Sequence, residues 1–274
     1  MKLCRRAAEL AGFRGTVGFV PTMGALHAGH LSLVEQCRKT CDTVVVSIFV
    51  NPTQFNDPND LKNYPRTEEA DLKLLEAAGV DYVFAPSVEE VYPEPDTRVF
   101  DFGGLDSVME GAHRPGHFNG VGQVVSRLFD IVKPNRAFFG EKDFQQLAII
   151  RYMVQQLGLP IEIVGCPIVR DSDGLARSSR NMLLTPEHRQ AAPHIYAVLR
   201  EAVDTLRGTV TVAEAKQIIA RRIDANPLLK TEYVEIAEAD TLKPAETWGE
   251  KIGDLRCFVA VHAGPIRLID NVAI

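Results

Sequence analysis

A Rossmann-like α/β fold, with a doubly wound parallel sheet and a second, smaller α+β C-terminal domain, is predicted by three features of this 274-residue chain. Strand-like and helix-like segments alternate over residues 1–168, which implies right-handed crossovers and a parallel sheet. The run 43–50 is apolar almost throughout, as in a strand covered on both faces. Beyond Val169 the alternation gives way to two helices and then three strands, so the expected domains are 1–168 and 169–274.

Taken in order, residues 2–12 read as a short helix ending at glycine, and 16–20 as a strand rich in Val17, Phe19 and Val20. Leu31, Val34, Cys37 and Cys41 then recur at helical spacing, predicting a helix over 29–41. After the strand 43–50, residues 67–78 carry full helix signals: Thr67 as cap, Glu68, Glu69 and Asp71 near the positive end, Leu72 and Leu75 inward, and Gly79 as terminator. A third strand is expected at 81–85. Val121, Val124, Val125, Leu128, Phe129 and Val132 fall on one side of a helix over 118–132. Strand 137–139, a helix over 144–157 stopped by Gly158 and Pro160, and strand 161–164 complete the first domain. The second is expected to hold helices 186–206 and 212–225 and strands 233–236, 257–261 and 266–268. No internal repeat or low-complexity segment interrupts this order.

Composition narrows the partners. With 46% apolar and 24% charged residues and a formal charge of -6, the chain has the make-up of a globular protein without the basic balance of a nucleic-acid or membrane-surface binder. Small molecules are the expected partners. Cys4, Cys37, Cys41, Cys166 and Cys257 form an odd, scattered set with no Cys-x-x-Cys, which points to a reducing, cytoplasmic setting. The basic stretch 1–15 lacks the apolar core of a signal peptide, and no apolar run reaches membrane length.

The chemistry is concentrated where strands hand over to helices. Pro21-Thr22-Met23-Gly24-Ala25-Leu26-His27-Ala28-Gly29-His30 follows the first strand and opens a helix. A helix start presents unpaired N–H groups and partial positive charge, and Gly29 carries no side chain to keep an anion away. Two imidazoles at such a phosphate cradle suggest nucleotide chemistry, whereas His-x-Gly-His alone could be a polar turn. Phe138-Phe139-Gly140-Glu141-Lys142-Asp143 repeats the arrangement, with Lys142 and backbone amides able to meet phosphate oxygens. Asn51-Pro52-Thr53-Gln54 follows the second strand, and the Gln54 amide can hold a hydroxy acid without neutralising its carboxylate. The polar loop 171–181 brings Arg177, Ser178, Ser179 and Arg180, groups suited to charge developing on a leaving pyrophosphate. His27, His30, His113 and His117 have no carboxylate or cysteine partner at ligand spacing, so no metal bound by the protein itself is expected.

The His-x-Gly-His stretch resembles the signature of the nucleotidyltransferase superfamily, and the whole Pro21–His30 segment resembles the pantothenate synthetase (pantoate–β-alanine ligase) family in particular. Asn51–Phe55, the loops 63–67 and 111–118, Gly140–Gln146 and Ser178–Asn181 are similar to further family segments in the same order, and Leu268-Ile269-Asp270-Asn271 more weakly. Thr53 stands where methionine is commoner, and Arg177 where leucine or methionine is frequent; an extra cation there either strengthens phosphate binding or faces water. Related chains carry a short strand before the first helix, so this chain either lacks it or starts further upstream.

The resemblance implies ATP-dependent condensation of (R)-pantoate with β-alanine, giving pantothenate, AMP and pyrophosphate through pantoyl adenylate. His30, His27, Lys142 and Arg180 would be catalytic. Met23, Gly24, Ala25, Leu26, His27, Ala28, Gly29, His30, Gly140, Glu141, Lys142, Asp143, Val169, Arg177, Ser178, Ser179 and Arg180 would contact ATP. Gln54, Gln146, Asn51 and Arg114 would contact pantoate or β-alanine. Mg²⁺ would ride on the ATP phosphates, with Asp71 as an outer-sphere candidate, the C-terminal domain would act as a lid, and the enzyme would be a homodimer.

Overall fold

Six parallel strands form the sheet of the first unit: β1 (Lys2–Cys4), β2 (Val17–Thr22), β3 (Thr43–Ile48), β4 (Tyr82–Phe84), β5 (Arg136–Gly140) and β6 (Glu162–Cys166). Their order is β1-β4-β3-β2-β5-β6. In this computed structural model residues 1–56, 58–251 and 253–274 are described. The first unit comprises Met1–Glu141 and Gln145–Pro167. Its helices are α1 (Ala28–Thr40), α2 (Pro58–Asn63), α3 (Glu68–Ala77), α4 (Val88–Val91), α5 (Met109–His113), α6 (His117–Val132) and α7 (Phe144–Gln156), the last beginning one residue before this unit resumes.

Period-two alternation within each strand divides the core into two layers. Phe19, Val45, Phe84 and Phe139 face Phe118, Val121, Val125 and Phe129 of α6 and Leu147, Ile150 and Met153 of α7. Their strand neighbours Val20, Val44, Val46, Val83 and Phe138 face Leu33, Val34 and Cys37 of α1 and Leu75 of α3. Helices on both faces make the sheet doubly wound, as the sequence predicts. The order turns at β2, with β3 and β4 on one side and β5 and β6 on the other. At such a turn the loops leaving adjacent strands diverge, and ligands settle beyond the carboxyl ends.

The second unit comprises Lys142–Phe144 and Ile168–Ile274. It contains α8 (Pro186–Ala191), α9 (Pro193–Thr205), α10 (Val212–Asp224) and the antiparallel sheet β7 (Leu229–Glu238), β8 (Leu255–Ala263), β9 (Ile266–Ala273) in that order. Ile195, Leu199, Ile219 and Ile223 of its helices pack against Ile236, Val259, Val261 and Leu268 of the sheet. Among the described residues no helix is long and apolar enough to cross a membrane. All five cysteines are free.

Several predicted elements are corrected. Residues 2–12 do not form a helix: β1 pairs in parallel with β4, matching Lys2 to Tyr82 and Cys4 to Phe84, and a 3-10 turn follows at Ala7–Glu9. Burial of Cys4 and backbone pairing on the open sheet edge outweigh a marginal local helix signal. The short N-terminal strand is therefore present. Thr67 occupies the N-cap of α3 but makes no capping bond, and its hydroxyl donates to Asp71 Oδ1 at 3.1 Å. The expected helix 186–206 is interrupted at Ala192, since Pro193 has no N–H to continue the ladder. The C-terminal strands run longer than their apolar stretches, because in a half-covered antiparallel sheet polar residues alternate with apolar ones.

Candidate active site

The loops after β3, β2 and β5 leave three adjacent strands of the first unit at their carboxyl ends. The loop after β2 carries Met23 to His27 into α1. Gly24 has φ +82° and Ala25 φ +49°, so two consecutive residues take the left-handed conformation, the second at the cost of a Cβ. Asp71 of α3 holds this turn: its two carboxylate oxygens accept from Ala25 N at 2.9 Å and Leu26 N at 2.8 Å, and the side chain is 1% exposed. Buried charge is stabilised here by three hydrogen bonds, counting that from Thr67. Asp71 thereby has a structural role that is visible in its contacts.

His27 is the N-cap residue of α1. Its Nδ1 accepts from Gly29 N at 3.1 Å, while its own N–H donates to His30 Nδ1 at 3.3 Å, forming a reciprocal capping box made of two histidines. The rings lie 4.1 Å apart between centroids, tilted by 36°. Because both Nδ1 atoms accept, each neutral ring carries its proton on Nε2. Both imidazoles are therefore set as Nε2–H donors at a helix start whose dipole favours anions.

The loop after β3 folds as a 3-10 turn, Pro52–Gln54, capped by Asn51. Asn51 is 1% exposed; its Nδ2 donates to Gln54 Oε1 and to Gly120 O, both at 3.1 Å, and its Oδ1 accepts from Tyr92 OH at 2.9 Å. Gln54 Nε2 donates to Met23 Sδ at 3.4 Å, which joins this turn to the histidine loop. A Cβ at Gly120 would stand 2.5 Å from Thr53 O, so only glycine lets α6 approach so closely. Arg114 Nη1 donates to His117 Nε2 at 3.2 Å, and His117 Nδ1 lies 2.7 Å from Gln54 O. Since a guanidinium can only donate, His117 Nδ1 holds the proton and donates to the Gln54 carbonyl.

Beyond β5, Gly140 and Glu141 are half-buried and Gln146 stands, also half-buried, in the first turn of α7. Neighbouring Gln145 is spent on structure, donating to Leu105 O and Val108 O at 2.8 Å each and accepting from Glu110 N.

In the second unit, Lys142 Nζ lies 3.6 Å from exposed Asp143, and Lys142 O accepts from Asn271 Nδ2 at 2.9 Å. The 171–181 loop is closed at its base: half-buried Val169 accepts from Arg177 N at 3.0 Å, and Asp171 N donates to Leu175 O at 2.8 Å. Arg177 pairs with Asp171 at 2.7 Å, so the additional cation neither faces water alone nor stands without a counter-ion. Ser178 caps the 3-10 turn Ser179–Leu183 by accepting from Arg180 N, and Ser179 is buried. Among the described residues no three His, Cys, Asp or Glu side chains form a group that could hold a metal ion.

Gly120 and Tyr92 are supporting residues that motif reading missed, and Asp71 and His117 were noticed there without their supporting contacts. Gly120 left a trace in the sequence as a glycine inside an apolar helix, and Asp71 as an acid at a helix start. Their contacts are long-range, and nothing local announces them.

A parallel sheet that turns at β2, with paired histidines at the helix start beyond that strand, defines a Rossmann-like enzyme of nucleotide chemistry. The family model for Pantoate-beta-alanine ligase matches residues 2–273. Pantothenate synthetase of Bacteroides fragilis strain YCH46 is 57% identical over 256 residues, covering 93% of this chain and 90% of the relative. That of Porphyromonas gingivalis is 54% identical over 279 residues, covering 99% of each. The crystal structure of pantothenate synthetase from Thermus thermophilus superposes with TM-score 0.94 at 48% identity, over 100% of this chain and 99% of that one. Pantoate-beta-alanine ligase from Francisella tularensis, complexed with beta-gamma ATP and beta-alanine, gives TM-score 0.84 at 34% identity, over 100% and 97%. The chain belongs to the pantoate–β-alanine ligase family, enzymes that condense pantoate with β-alanine using ATP.

Proposed function

We propose that this ligase works through an acyl adenylate: the pantoate carboxylate attacks the α-phosphorus of ATP, pyrophosphate leaves, and β-alanine nitrogen then attacks the acyl carbon and expels AMP. The observation that carries the reading is the histidine capping box beyond β2, which fixes two Nε2–H donors at a positive helix start. His30 and His27 are assigned to the phosphates, where a donor stabilises charge as it develops. Met23 to Ala28 with Gly29, and Gly140, Glu141, Asp143 and Val169, are assigned to ATP through backbone and shape. In the second unit, Lys142, Ser178, Ser179 and Arg180 are assigned to phosphate oxygens.

Gln54 and Gln146 are assigned to pantoate, two amides for a hydroxyl and a carboxylate. Asn51 and Arg114 are proposed as positioning residues, because Asn51 holds the Gln54 amide and Arg114 reaches the Gln54 carbonyl through His117. Arg177 is assigned to its local pair with Asp171. Mg²⁺ is proposed as a companion of ATP, carried mainly on the phosphates, as this ion usually is. Bound that way it would neutralise phosphate charge. A cytoplasmic homodimer is proposed on the family resemblance.

Pantoate labelled with ¹⁸O in its carboxylate tests the route. The adenylate path delivers one labelled oxygen to the phosphate of AMP. Label appearing instead in pyrophosphate or phosphate would overturn it.

A further inference from the structure

Asp270 and Asn271, adjacent on β9, are 6% and 2% exposed, although both are polar and neither belongs to the groups assigned to substrate. Each is spent on a different segment. Asn271 Nδ2 donates to Lys142 O at 2.9 Å, and its Oδ1 accepts from Arg256, whose guanidinium lies over the Phe144 ring at 4.1 Å. The Asn271 amide is thereby fixed from one side and fixes the Lys142 backbone on the other. Asp270 accepts two parallel bonds from Arg170 at 2.6 and 2.9 Å, and Arg170 also donates to Gly174 O at 3.2 Å and stacks on Tyr196 at 3.6 Å. Arg170 stands at the base of the 171–181 loop, bridged to Ala176.

We propose that Asp270 and Asn271 are positioning residues for ATP: one strand of the C-terminal sheet holds in common register the Lys142 segment and the loop bearing Ser178, Ser179 and Arg180. All these contacts lie within the second unit. A lysine on an untethered loop would spend entropy each time it met a phosphate, and an amide bonded to its own carbonyl removes that cost in advance. Burial of the pair makes the tether stiff. The inference rests on the phosphate role assigned above to Lys142.

Asn271→Asp tests it, because the shape and the Arg256 partner are kept while the donor facing Lys142 O becomes an acceptor. The KM for ATP should rise about tenfold, the scale of one hydrogen bond, with the pantoate KM unchanged. In a Lys142→Ala background the same substitution should add nothing. Arg256→Met, which frees the Asn271 amide but keeps apolar cover over Phe144, should raise the ATP KM in the same direction by less. A loss confined to kcat, or an equal increment with and without the Lys142 side chain, would overturn the tether and show a merely structural role. If Lys142→Ala itself leaves the ATP KM unchanged, the phosphate assignment falls and the inference with it.

Discussion

Removing the imidazole of His30 separates chemistry from folding at a single residue. His30→Ala deletes one acceptor of the α1 capping box, a stability loss of about 1 kcal/mol. If its Nε2–H meets the phosphate as charge develops, adenylate formation falls by roughly 10²-fold or more. A urea titration and a stopped assay on the same sample decide it; near-normal turnover would remove His30 from the mechanism. Asp71 makes the opposite prediction. Asp71→Ala strips a buried site of the acceptor for two backbone N–H groups and a hydroxyl, so stability should fall by about 2–4 kcal/mol. Histidines 27 and 30 were legible in the sequence because a helix start follows a strand there. The bonding of Asp71 to the turn that leads into them was not, because Asp71 reaches Ala25 and Leu26 from 45 residues away or more.

At the scale of elements, the approach of α6 to the Pro52–Gln54 turn is the contact on which the pantoate contact proposed for Gln54 depends. Gly120→Ala puts a Cβ 2.5 Å from a backbone oxygen, which must shift the Gln54 turn, costing about 1–3 kcal/mol and raising the pantoate KM more than the ATP KM. Equal changes in both constants would detach Gln54 from pantoate. A second device pins the segment between α4 and α5 to α6: Asp96 accepts from Arg98 and, at 3.1 Å, from Arg127. Hydrogen bonds from Arg98 outweigh burial and hold the Asp96 carboxyl well below the usual carboxylate range. Its stabilisation is therefore complete above the unfolded value near about pH 4 and fades as pH falls through the folded one. Asp96→Asn should be less stable than the parent at pH 7, with the gap closing in acid; a constant gap would contradict this. Elements whose apolar period was long, such as α6 and β3, were readable from sequence. The edge strand β1 was not, since three residues carry no period and only the partner strand β4 makes them a strand.

For the whole molecule, the doubly wound sheet and the α+β second unit follow from the order of strands and helices, and the sequence order of the loops already placed the chemistry at carboxyl ends. Sequence could not show how the polar residues of those loops are engaged: the Asn51 side chain bonds Gln54, Gly120 and Tyr92. The central claim is that an acyl adenylate forms reversibly before any amine is required. Exchange of labelled pyrophosphate into ATP measures it directly, with pantoate and Mg-ATP present and β-alanine absent. The account predicts exchange that stops when pantoate is omitted and is suppressed roughly 10²-fold in Arg180→Ala. Exchange that appears only when β-alanine is added would contradict it and require a concerted reaction of all three substrates.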